Sequence, residues 1–178
     1  TFVTVSPDAW SAMKSRKTPV ASFYANLLTF ENYYENQWFP YTMPISDIQG
    51  LRVAFENIQN DPDILKRHAQ IASAVRSAIT SCSLTLHTRD GWSNTVTVFD
   101  VPSEISAAEL LSRMKEEHGI MLAGSFDVLA GQVIRIGHMG ENARVEKVAA
   151  VMKALDSVLS DLQVTIKGSL YTDFLASL

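Results

Sequence analysis

The stretch Gly131-Gln132-Val133-Ile134-Arg135-Ile136-Gly137-His138-Met139-Gly140-Glu141-Asn142 reads as a short strand, a glycine-punctuated turn and the start of a long helix. Side chains alternate faces along a strand. Ile134 and Ile136 therefore point one way, towards a core, while Val133, Arg135 and Gly137 point the other. An arginine between two isoleucines is held on a stiff, half-buried element. Its guanidinium offers a planar fork of donors that matches a carboxylate or a phosphate. The plainer reading is an arginine on a solvated sheet face, where most arginines lie. His138, just beyond, can line a site or simply fill the turn.

Working outward, Ala143 to Leu162 carries Val145, Val148, Met152, Leu155, Leu159 and Leu162 at helical spacing, with Asn142 as the expected N-cap. Val164 to Lys167 can add a strand, followed by an apolar tail with no evident role. Upstream, Ile120 to Ala123 reads as a strand entering the turn Gly124-Ser125-Phe126-Asp127. Ser106-Ala107-Ala108-Glu109 is a capping box with Ile105 and Leu110 as its hydrophobic staple, and Gly119 is the expected left-handed cap. Ser83 to Thr88, with Leu84 and Leu86 inward, and Thr95 to Asp100, with Val96 and Val98 on one face, predict an antiparallel pair across Arg89-Asp90-Gly91. Asp61-Pro62 predicts a helix to Ser81 with Asp61 as N-cap. Ile64, His68, Ile71, Val75 and Ile79 share one face of it, so His68 reads as a packed histidine. Residues 61–162 thus form an α-β-β-α-β-β-α unit. The simplest packing is α+β, a small antiparallel-rich sheet with helices on one face.

The first sixty residues are different in kind. Phe2, Thr4 and Ser6 alternate with Val3 and Val5 over a strand at residues 1–6. Ser6 and Pro7 then suit the cap and first turn of a helix reaching about Ser15. Phe23, Leu27, Phe30 and Tyr34 recur at helical spacing, with Tyr24, Tyr33 and Trp38 on other sides. That predicts an aromatic helix within 20–38, buried in a core or at a subunit interface. Pro40 and Pro44 bracket Tyr41-Thr42-Met43 and fix an extended loop. Asp47 to Ile58 is a further helix with Ile48, Leu51, Phe55 and Ile58 as its stripe.

Composition narrows the function classes. The 178 residues are 47% hydrophobic and 19% charged, ordinary for a globular protein. A net charge of −4 gives no electrostatic case for nucleic acid or an anionic membrane surface. No apolar run approaches the roughly 18–20 residues that span a bilayer. Cys82 is the single cysteine, which excludes an intrachain disulfide and favours a cytoplasmic home. The four histidines and Cys82 show no metal-ligand spacing. No phosphate loop or nucleophile elbow is present, and no residue stands out as catalytic. The chain opens inside a strand without an initiator Met, and is expected to be part of something longer.

The Val133–Asn142 run resembles the C-terminal signature of the PLP-dependent class V (fold type I) aminotransferases, the alanine–glyoxylate/serine–pyruvate group. Two further stretches extend that resemblance, in order, over about residues 2–160. They are Ser15-Arg16-Lys17-Thr18-Pro19 with Ser22-Phe23-Tyr24, and Tyr41-Thr42-Met43-Pro44-Ile45 with Gly50-Leu51-Arg52. The resemblance implies that residues 1–60 close the large α/β cofactor domain and its linker. It makes 61–162 the small C-terminal α+β domain and leaves 163–178 as a tail. It implies that Arg135 grips the substrate's α-carboxylate. It also implies that the Thr42 hydroxyl binds the phosphate of pyridoxal 5'-phosphate from the neighbouring subunit. Phe39 stands where the family often has a tyrosine, and Ser125, Phe126 and Asp127 stand in a turn that is glycine-rich in the family. The Schiff-base lysine, the acid on the pyridine nitrogen, the phosphate cradle and the stacking aromatic would all lie upstream, and no lysine here matches the first. By this reading the chain alone is inactive. Its partners are a small amino acid or 2-oxo acid, the missing N-terminal part of the same protein, and a second copy in a homodimer. A non-catalytic α+β ligand-binding or dimerisation module is the alternative. Desulfurases and lyases of the same fold need a nucleophilic cysteine, and Cys82, at an expected helix end, suits that role poorly.

Overall fold

Ser6 starts the first helix. In the computed structural model, which describes residues 2–178, its hydroxyl accepts the Ala9 amide at 3.2 Å and Pro7 leads α1 (Pro7–Lys14). The strand expected over residues 1–6 falls partly on Thr1, outside the described residues. Residues 2–6 are exposed and join no ladder. A lone strand has nothing to satisfy its backbone.

The chain divides into two units, one ending at Asn57 and one running from Ile58 to Leu178. Within the first, the aromatic stretch departs most from expectation. Only Leu27–Phe30 makes a single 3-10 turn, opened by the Asn26 side chain accepting the Leu28 amide at 3.1 Å. Asn32 and Gln37 take φ of 54° and 49°, a conformation through which a right-handed helix does not run. The rings pack edge-on instead. Phe30 lies 5.6 Å from Phe39 and 5.5 Å from Tyr41, and the Tyr41 hydroxyl donates to the Phe23 carbonyl at 2.8 Å. Helical spacing was here a property of a folded-back loop whose rings satisfy one another. After Pro44 comes α2 (Ile45–Gln59), whose Ile48 and Phe55 remain exposed.

The second unit holds the core. Asp61 does not cap α3 (Ile64–Ser81). Asp63 occupies that place without a side-chain bond. The Asp61 carboxylate instead takes two hydrogen bonds from Arg67, at 2.9 and 2.5 Å, and Arg67 Nε donates to the Ala143 carbonyl at 2.9 Å. Arg67 holds the Asp61 carboxyl below the usual carboxylate range. β1 (Val96–Asp100) and β2 (Val133–Gly137) pair antiparallel, with Val98 opposite Arg135. The same register sets Thr97 against Ile136 and Phe99 against Ile134, all four buried. Val96 and Val98 therefore share the half-buried face with Arg135, not the core face.

The expected strands at Ser83–Thr88 and Ile120–Ala123 shrink to single bridges, Leu86 to Phe99 and Ala123 to Arg135. Both segments leave helices, and their first amides are taken up by the helix end. Leu84 N–H goes to the Ile79 carbonyl, and Ile120 N–H to the Met114 carbonyl, each at 3.0 Å. Val164 likewise bonds the Leu159 carbonyl at 2.9 Å, and the strand expected at Val164–Lys167 does not form. By contrast α4 (Ala107–His118) is built as its capping box dictates. Ser106 Oγ accepts the Glu109 amide at 3.1 Å, and Gly119 closes the helix at φ 67°. Ser106→Ala should lower stability by about 1 kcal/mol, read as a shifted urea midpoint.

α5 (Val145–Asp161) begins three residues later than Asn142, which lies in a 3-10 turn over Gly140–Asn142; Arg144 takes the cap position. The expected tail is not a tail. Residues 170–176 form α6 (Leu170–Ala176), capped by Ser169. The Asp156 carboxylate accepts the Ser169 hydroxyl and the Leu170 and Tyr171 amides at 2.7, 2.8 and 3.0 Å. Leu170 and Phe174 are fully buried with α3 and α5. One hydrophobic cluster joins Val75 and Ile79, Phe99, Leu110 and Met114, Ile134 and Ile136, Met152 and Leu155, and Phe174. The unit is α+β, a two-stranded antiparallel sheet packed with helices. No helix among the described residues is long and apolar enough to cross a membrane.

Candidate functional site

Arg135 is fixed from both sides. Its strand pairs with β1, and its backbone bridges Ala123 through bonds of 2.7 and 3.3 Å. Its side chain is half-buried, and Nε donates to the Gly124 carbonyl at 2.6 Å. That bond sets the plane of the guanidinium. Its two terminal nitrogens make no hydrogen bond, and the side chain enters no ion pair, among the described residues. Arg52, Arg67, Arg113 and Arg144 each sit beside a carboxylate; Arg135 does not.

Arg135 lines a cleft of about 460 Å³. Val96, Met121, Leu122, Met139 and Val151 are among its lining residues, with the Asn142 amide as a neutral polar group. Arg135 and Lys147 are its charged residues, and no Asp or Glu lines it. Two cations, one of them a planar fork, with no competing carboxylate suit a small anion, and a fork of this shape can make two parallel bonds to a planar oxyanion.

Thr42 belongs to the first unit and takes no part in this cleft, whose lining residues all come from the second. It is exposed between Pro40 and Pro44, and its hydroxyl makes no hydrogen bond among the described residues. His138 does not line the cleft. It is fully buried, its ring 2.8 Å from the Thr97 hydroxyl, and burial pushes its pKa down. It is a neutral core histidine. No cluster of metal-ligating side chains exists among the described residues.

Cys82 closes α3 and is fully buried. Burial first, then the nearby Asp173 carboxylate, pushes its thiol up to about 11. A thiolate is the reactive form, so this sulfur is inert near neutrality. The folded protein should resist a thiol reagent at pH 7 and react once unfolded, as followed by mass spectrometry.

Alternation along the strand identified Arg135, but not its partners. The Gly124 carbonyl lies eleven residues upstream. Lys147 lines the cleft from the first turn of α5. Its place one residue before core-facing Val148 was the available signal.

No family model matches the chain. It is 34% identical to the small subunit of a soluble hydrogenase from Synechococcus sp. over 92% of its own length and 42% of that protein's. It is 32% identical to the serine–glyoxylate aminotransferase of Arabidopsis thaliana over 90% of its length and 41% of the relative's. Among solved structures, the pyridoxamine–pyruvate aminotransferase from Mesorhizobium loti superposes with a TM-score of 0.86 at 27% identity, covering 97% of this chain and 46% of that one. The chain therefore spans less than half the length of the relatives it matches.

Proposed function

Because the chain belongs to the class V, fold-type-I aminotransferases and matches their C-terminal part, we propose that it supplies the substrate-carboxylate clamp of an enzyme that moves an amino group between an amino acid and a 2-oxo acid. Arg135 is the clamp. The observation that carries this reading is a guanidinium oriented by the Gly124 carbonyl, with both terminal nitrogens free of hydrogen bonds among the described residues, on a residue that lines a cleft without acidic side chains. Both substrates of such a reaction carry the same carboxylate next to the reacting carbon. One fixed fork can therefore seat donor and acceptor in turn, at the same angle.

The family implies pyridoxal 5'-phosphate, which when bound supplies the electron sink for breaking bonds at the amino-bearing carbon. Within this chain the fit is partial. The exposed, unbonded Thr42 hydroxyl, held by its two flanking prolines, suits one phosphate oxygen of a neighbouring subunit's cofactor. Nothing in these residues repeats the full phosphate cradle. The chain's own part is to bind and orient substrate, with the rest of the site on the remainder of the enzyme and on a second subunit. Exposed Tyr24, Tyr34 and Trp38 in the first unit accord with burial against such partners. Buried Cys82 argues against the desulfurase alternative, which needs a reactive thiolate.

The test is steady-state kinetics of the complete enzyme with a simple amino acid and glyoxylate or another 2-oxo acid. Arg135→Lys should raise the KM for both substrates roughly tenfold, since one ammonium replaces two parallel bonds. An unchanged KM for either would remove the clamp.

A further inference from the structure

The turn that leaves β2 is tied into the unit through two histidines. His138, within it, donates its backbone N–H to the Thr95 carbonyl at 2.9 Å and places its ring 2.8 Å from the Thr97 hydroxyl. His68 is nearly buried on α3. Its Nδ1 lies 2.6 Å from the Ile64 carbonyl, and its Nε2 accepts the Gly140 amide at 3.0 Å. A carbonyl only accepts and an amide N–H only donates. His68 is therefore the neutral tautomer, with its proton on Nδ1 and its lone pair on Nε2. Gly140 sits at φ 56°, and the turn places Met139 and Asn142 on the wall of the Arg135 cleft.

We propose that His68 is a positioning residue for the substrate cleft: its Nε2 lone pair holds Gly140, and through that turn it fixes Met139, Asn142 and the exit of the strand that carries Arg135. Packing alone would ask only for bulk on an apolar stripe. The contact made instead is directional, reaches across 72 residues and ends on a backbone amide of the cleft's own turn. His68 touches no substrate. It acts by keeping Met139 and Asn142 in place on the lining that Arg135 shares, so its loss weakens substrate binding.

The kinetic half of the test rests on the aminotransferase reading; the structural half does not. In the complete enzyme, His68→Asn keeps a donor for Ile64 but is too short to reach Gly140, whereas His68→Gln places an acceptor near the Nε2 position. The asparagine variant should speed amide exchange across 138–142, read by mass spectrometry, and raise the amino-donor KM roughly tenfold with less change in kcat. The glutamine variant should restore both. His68→Leu supplies the same comparison if the asparagine variant does not fold. A lowered Tm with KM and exchange both unchanged would overturn the proposal. So would a glutamine variant as impaired as asparagine. If the parent enzyme does not transaminate, the proposed function fails, and exchange across 138–142 alone decides whether His68 holds the turn.

Discussion

Replacing Arg135 by alanine in the complete enzyme is expected to raise the amino-donor KM by about two orders of magnitude. The fork offers two charge-assisted hydrogen bonds, each worth roughly 1.5 kcal/mol or more. Together they amount to about 3 kcal/mol, and about 1.4 kcal/mol corresponds to each tenfold in affinity. The loss should fall equally on amino donor and 2-oxo acceptor, because both present the same carboxylate. It should not unfold the protein. Arg135 is half-buried, and its one internal side-chain bond goes to a carbonyl beside the cleft. An unaltered Tm with a hundredfold loss in apparent affinity is the pattern that separates a clamp from a structural arginine.

The second large effect concerns stability. Phe174→Ala should cost about 3–5 kcal/mol, the usual loss for a fully buried aromatic. Urea unfolding would show it as a large fall in the midpoint. Tyr171→Ala, on the same helix but 37% exposed, should cost far less. Equal effects would mean that α6 is held by its Asp156 cap and not by its core face.

These two residues mark the limits of reading the chain. Arg135 was legible because a strand has a period of two, and the isoleucines on either side reported which face was core. The Ser106 box was legible because its bonds span three residues. Phe174 was not. A seven-residue helix leaves too little periodicity to separate from a tail, and its burial depends on α3 and α5. The strands lost at 83–88, 120–123 and 164–167 share one cause. Their β-like composition was real, but the helix ends before them had first claim on their amides. Asp61 and Asn142 looked like caps by type and place, yet Asp61 was taken by Arg67. The aromatic spacing of residues 20–38 matched a helix, while the rings found one another across a loop. Local signals survived where nothing nearby competed for the same groups, and failed where a helix end or a neighbouring side chain claimed them. The orientation of Arg135 by Gly124 and the bond from His68 to Gly140 span 11 and 72 residues, beyond any local pattern.

The measurement that bears most directly on the clamp is a crystal structure of the complete enzyme with a bound 2-oxo acid. Both carboxylate oxygens should lie within about 3 Å of the terminal nitrogens of Arg135, in the two-pronged geometry of such pairs, with Nε still on the Gly124 carbonyl. A carboxylate seated on Lys147 or on any other cation, with the Arg135 fork left empty, would contradict the account.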